Sequence, residues 1–184
     1  MISSLLQSCI AMVLAVAAAS PAAEAKQGPL DTDVKAAFLP KFAAYVSWPP
    51  GTFAAADDPI RICVIGRSSF GASLDEAAAR ERIDQHPVQV RKLAGTSEAA
   101  GCHIAFVGGS PKESPAAMLA AFQGRPVLTV TDDRIGADRG IVHFVVKDGR
   151  VRFHIDDALA GENRLDISAR LLSLALSVKQ RGRA

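Results

Sequence analysis

The stretch that most constrains this chain is Ile60 to Gly71, IRICVIGRSSFG. Ile60, Ile62, Val64 and Ile65 bracket Cys63 in a short β-branched run that Gly66 ends. An uninterrupted apolar run of this length reads as a strand buried on both faces, as in the middle of a parallel sheet. Behind it, GRSSFG turns the chain into a helix over about 70–80, with Leu74, Ala77 and Ala78 on one stripe.

More strands of the same kind follow. Residues 88–93 (VQVRKL) alternate and read as a second strand, and 103–107 (HIAFV) read as a third that Gly108-Gly109 breaks. Ser114 caps and Pro115 opens a helix to Phe122; Gly124 ends it, and 126–131 (PVLTVT) form a fourth strand. Strands alternating with helices predict a parallel sheet with right-handed crossovers. Asp148-Gly149 is a two-residue turn signal between 141–146 and 151–156. The resulting antiparallel hairpin faces Val146 with Val151, Phe144 with Phe153 and Val142 with Ile155 on an apolar side. Val145 then faces Arg152, and His143 faces His154, on a largely polar side.

Helices are expected at both ends. Asp31 or Thr32 can cap one running to about Val46, with Val34, Phe38, Phe42, Tyr45 and Val46 on an apolar face. Pro40 falls inside it and costs about 3 kcal/mol in a regular helix, which predicts a kink near Ala36–Leu39. A closing helix over about 168–180 would bury Ile167, Leu171, Leu174, Ala175 and Val178. The 184 residues thus read as a single α/β domain with a mixed sheet: parallel central strands flanked by helices, an antiparallel C-terminal hairpin and a closing helix.

The first 25 residues read as an address. Ile10–Ala19 is an apolar run of 10 residues, followed by small residues ending Ala23-Glu24-Ala25, the h-region and cleavage site of a secretory signal peptide. No Lys or Arg precedes the run, and ten apolar residues are too few to span a membrane. The expected layout is a signal peptide over 1–25 and an exported α/β domain over 26–184. Removing Glu24 leaves 21 basic against 18 acidic residues, a scattered excess too small to argue for nucleic acid. The three cysteines become two, Cys63 and Cys102, in a compartment where disulfides persist. A bridge on neighbouring parallel strands would close a loop of about 40 residues, worth roughly 4 kcal/mol on the chain-entropy model. The alternative is two buried free thiols packed as small hydrophobes.

Candidate chemistry is sparse. Gly66 and Gly71 have phosphate-loop spacing, but Ala72-Ser73 follows where a Lys would neutralise the phosphates, so a tight strand-to-helix turn is the plainer reading. Ligand-binding loops, if a small molecule binds, fall after strands one, three and four: Gly66, Arg67, Ser68, Ser69 and Gly71; Gly108, Gly109 and Ser110; Thr131, Asp132 and Asp133. Asp132-Asp133 could serve as a general-acid pair, and capping or a turn is the plainer reading. His143 and His154, with Asp156 one step along, are weak candidates for zinc or copper, since metal sites normally take three or four protein ligands. An exposed cross-strand pair is the default. No G-x-S-x-G elbow or other constellation supports catalysis, and no cofactor is expected.

Six blocks taken together resemble the YfiR-like (HmsC-type) family of periplasmic regulators. They are VKAAFLPKFAAYVSWP (34–49), RICVIGRSSFG (61–71), CHIAFV (102–107), GRPVLTVTD (124–132), IVHFVVKDGRVRFHI (141–155) and DISARLLSLA (166–175). The resemblance covers nearly the whole mature chain and implies a small periplasmic protein without enzymatic activity. Its best-known members repress a membrane-bound GGDEF diguanylate cyclase by binding the cyclase's periplasmic sensor region, which lowers cyclic di-GMP and biofilm formation. Others serve sensor histidine kinases, and homodimers are compatible with the family. Cys63 and Cys102 match its cysteine positions, while a second pair found in some members is absent. Pro40 stands where many relatives carry an aromatic, and His143 and His154 where Asn and Glu are common.

Overall fold

The computed structural model describes residues 29–182, so the signal peptide read in residues 1–25 lies outside the described residues. The chain enters through α1 (Pro29–Lys41), a 3-10 turn over Phe42–Tyr45 and the short β1 (Val46–Ser47). Then come β2 (Ile60–Gly66), α2 (Ser73–Ala79), β3 (Arg82–Ile83), β4 (His86–Leu93), β5 (Ile104–Gly109) and α3 (Pro115–Ala120). The second half holds β6 (Leu128–Asp132), β7 (Val142–Lys147), β8 (Arg150–Asp156) and α4 (Asp157–Glu162). It ends with β9 (Asp166–Ile167), α5 (Ala169–Leu174) and β10 (Ser177–Lys179).

The apolar runs meet in one eight-stranded sheet of order β10-β8-β7-β6-β5-β2-β4-β3. Strands β7, β6, β5, β2 and β4 are parallel to their neighbours within that block. Antiparallel strands flank it, β8 on β7 and β3 on β4. Period-two alternation divides β2 between two cores. Ile60, Ile62 and Val64 join the larger one with Ala36, Leu39 and Phe42 of the N-terminal helical segment and Leu74 of α2. Cys63 and Ile65 join the smaller one with Met118 and Phe122. In the larger core Phe42 sits 5.6 Å from Phe144 and 5.4 Å from Phe153, ring centre to ring centre. Such aromatic pairs add about 0.5–1.5 kcal/mol beyond burial.

The hairpin has the register expected of its turn, with Phe144 opposite Phe153 and His143 opposite His154. Asp148 and Gly149 both take positive φ, 52° and 68°, the conformation that matches a hairpin turn to strand twist. Two helix expectations are corrected. The first helix does not run to Val46: Pro40 falls in its last turn, and the α-helix stops at Lys41 and tightens into the 3-10 turn. At the other end, α5 has six residues only. Ser168 caps it through Leu171, Ala175 is extended, and Leu174 is 55% exposed. Residues Ser177–Lys179 then lie parallel to β8, filling ladder positions that would leave that strand's backbone unpaired.

Cys63 and Cys102 are joined in a disulfide with Cα atoms 5.8 Å apart. Cys102 lies two residues ahead of β5, the parallel neighbour of β2, and the bridge is enclosed by the smaller core. Replacing Cys63 with Ser removes a constraint of roughly 4 kcal/mol at most and sets a hydroxyl among apolar side chains. The melting temperature should fall by on the order of 10 °C, with Cys102→Ser the milder change. Thiol labelling of the denatured, unreduced exported protein should count no free thiols; two reactive thiols per chain would contradict the bridge.

Candidate functional site

Strand order reverses at β2, whose parallel neighbours are β4 on one side and β5 on the other. In open α/β sheets such a switch point leaves a crevice beyond the carboxyl ends of the strands. The loops after β2, β5 and β6 meet there. The first two touch backbone to backbone: the Arg67 N–H donates to the Gly109 carbonyl at 2.9 Å. A Cβ on Gly66 would collide with the Gly109 carbonyl, and one on Gly108 with the backbone of Arg67. Gly66 also takes a φ of 80°, in the left-handed region. Of the two glycines with phosphate-loop spacing, Gly66 is therefore required by the approach of two loops, whereas Gly71 faces open space and is called for only by its positive φ of 55°.

A cleft of about 410 Å³ opens beside this junction, lined by Arg67, Ser68, Ser69, Asp132 and three residues the sequence reading did not include, Phe106, Arg134 and Ile135. Other predicted loop residues lie elsewhere. Gly108 and Gly109 are buried in the junction, and the Ser110 hydroxyl accepts from the N–H groups of Lys112 and Glu113. Gly71 lines a separate hollow beside Phe70 and Lys92. Thr131 points to the opposite face of the sheet, where it meets His143.

The strongest polar contact at the cleft also escaped the sequence reading. Lys35, 0% exposed on α1, donates to both carboxylate oxygens of Asp132, at 2.8 and 2.9 Å. Asp133 lies 3.8 Å from the same ammonium. The Arg134 N–H donates to Asp132 at 3.1 Å, and the Arg134 guanidinium donates to Thr32 of α1 at 3.3 Å. Burial alone would raise Asp132, but the hydrogen bonds from Lys35, followed by Asp133 and the Arg134 N–H, hold it below the ordinary carboxylate range. Asp133 is pushed up, by burial first and then by sharing a hydrogen bond with Asp132. The signal was present: Lys35, Leu39 and Phe42 recur at helical spacing, and a lysine within a buried stripe requires a carboxylate partner.

On the other face the histidines correct the expectation of an exposed pair. His143 is 3% exposed. Its Nδ1 shares a hydrogen bond with the Thr131 hydroxyl at 2.8 Å, and His154 Nδ1 shares one with the Ser177 hydroxyl at 2.6 Å. The two rings lie 6.5 Å apart, 27° from parallel. Thr131, His143, His154 and Ser177 thus form one polar row across β6, β7, β8 and β10. Asp156 caps α4 through the Leu159 N–H and pairs with Lys179. Among the described residues no group of three or more His, Cys, Asp or Glu side chains could hold a metal ion.

A match to the YfiR/HmsC-like family spans residues 32–176. The chain belongs to the YfiR/HmsC-like family. The matched span holds Lys35, Asp132, both bridged cysteines and both histidines of the row. The YfiR/HmsC-like family is regulatory, non-catalytic and periplasmic, and a disulfide-bonded domain fits an exported protein. A comparison with the curated proteins finds no match.

In this YfiR/HmsC-like domain the ion pair dominates the predicted response to mutation. Lys35→Met should cost about 3–5 kcal/mol by leaving Asp132 buried without its ammonium. Lys35→Met with Asp132→Leu should regain most of that loss. Urea unfolding at neutral pH reads both, and a single variant within about 1 kcal/mol of the parent, on the order of the extrapolation uncertainty of such measurements, would remove the pair from the account.

Two buried imidazoles set the acid response. Burial, followed by the charge of Arg139, pushes His143 down to about 4. Burial, followed by the charge of Arg61, pushes His103 down to about 4; its ring stacks on Phe53 at 4.6 Å. The unfolded chain takes up these protons near 6.5, so stability is complete above that pH. It falls as pH drops toward 4, by at most about 1.4 kcal/mol per unit for each histidine. Asp132 acts in the next window down: its contribution is full above the ordinary carboxylate range and is lost as pH falls through its depressed value. Replacing His143 with Gln should flatten the fall between pH 6.5 and 4 in denaturant titrations, and an unchanged slope would contradict the assignment.

Proposed function

We propose that the protein is exported through a cleaved signal peptide in residues 1–25 and acts without catalysis as a negative regulator in the periplasm. It represses an inner-membrane signalling protein, a GGDEF diguanylate cyclase, by binding that protein's periplasmic sensor region, and so lowers cyclic di-GMP and biofilm formation. The observation that carries this reading is the YfiR/HmsC-like match over residues 32–176, which takes in the whole sheet except β10. The state of the ionisable groups supports it. Asp132 is committed to Lys35 and the Arg134 N–H, which leaves the most buried acid of the cleft unsuited to proton transfer. His143 and His154 are each held by a hydroxyl within the polar row.

Deleting the gene should raise cyclic di-GMP and surface adhesion, and an exported copy supplied in trans should reverse both. The same copy without residues 1–25 should fail to complement. Unchanged nucleotide levels together with an altered phosphorelay output would replace the cyclase by a sensor histidine kinase.

A further inference from the structure

We propose that the cleft beyond β2, β5 and β6 binds a small organic carboxylate with a short apolar body. The inference is independent of which membrane protein the domain contacts. At about 410 Å³ the cleft has the size of a small-molecule site. It lies where α/β sheets place their ligands. Its walls are fixed, because the glycine junction locks the β2 loop to the β5 loop and Lys35 ties α1 to the end of β6.

Charge selects the ligand. The cleft wall carries two guanidinium groups, Arg67 and Arg134, against one carboxylate, Asp132, which the buried Lys35 already neutralises from behind, so an excess of positive charge remains. Lys35 is satisfied by Asp132. The guanidinium of Arg67 makes no hydrogen bond among the described residues, whereas Arg134 uses one terminal nitrogen on Thr32, holds Nε 3.9 Å from Asp132 and keeps its other terminal nitrogen. A guanidinium presents two parallel N–H groups that match a carboxylate in bidentate fashion. The Ser68 hydroxyl accepts from the Phe70 N–H and retains its own proton for donation. Phe106 and Ile135 supply the apolar part of the wall. A cation is repelled by this arrangement, and an inorganic anion leaves the apolar wall unused.

Benzoate is the probe, titrated into the ¹⁵N-labelled, disulfide-bonded protein, with benzylamine and inorganic phosphate as matched controls. Benzoate should shift the amides of Arg67, Ser68, Ser69, Arg134 and Ile135 with a Kd of about 1 mM or tighter, leaving those of His143 and His154 in place. Arg67→Gln should weaken binding by about ten-fold, and Arg67→Lys should restore only part of it. Arg67 is exposed, so the unchanged spectrum of the rest of the domain reports that the variant is folded. No shift at these amides, equal binding by benzylamine, or phosphate binding as tightly as benzoate would each overturn the proposal. So would undiminished binding by Arg67→Gln.

Discussion

A buried lysine on α1 governs how the larger face of the sheet is assembled. An ammonium without water is too costly to leave unpaired, and Lys35 finds its partner only at the carboxyl end of β6, where both oxygens of Asp132 accept from it. That demand fixes the position of α1 along its axis. The same seating brings Phe42 onto Phe144 and Phe153. A buried ion pair of this kind adds little stability over apolar residues of equal volume, but it disfavours every seating in which one charge is stranded. Its contribution is to select one arrangement of α1 against the strands.

The other constraint is steric. β2 and β5 converge so closely that Gly66 and Gly108 leave no room for a Cβ. The disulfide ties the same two strands near the opposite end of their contact, where Cys102 precedes β5. The pair β2–β5 is therefore held covalently near one end and by backbone contact at the other. A surface carried on such a frame is presented without much adjustment, which suits the proposed role of recognition by another protein.

Much of this was legible in the sequence, for reasons that also explain what was not. The β2 run, the strands after it and the hairpin register follow from period-two patterning and the Asp148-Gly149 turn, all local signals. The chain end was misread because Leu171 and Val178 fall on one helical face, while the open edge of β8, a tertiary demand, draws Ser177–Lys179 into a strand. His143 looked exposed because the alternate face of a hairpin is usually wet. Here it abuts Thr131 on β6 and is covered, which local alternation does not encode. The cleft was half visible: its strand-end loops were found, but Arg134 and Ile135 continue the β6 loop past the aspartates, and Phe106 on β5 and Lys35 behind Asp132 come into place only once the sheet and α1 are packed.

The proposed regulation by contact makes a direct demand on binding. The most direct test is capture from detergent-solubilised inner membranes with the disulfide-bonded domain over residues 26–184 as bait. An integral membrane protein with a periplasmic sensor region and a cytoplasmic signalling domain should be retained, and a bait reduced and alkylated at Cys63 and Cys102 should retain less of it. Recovery of soluble periplasmic enzymes alone, with no membrane protein retained, would contradict the account.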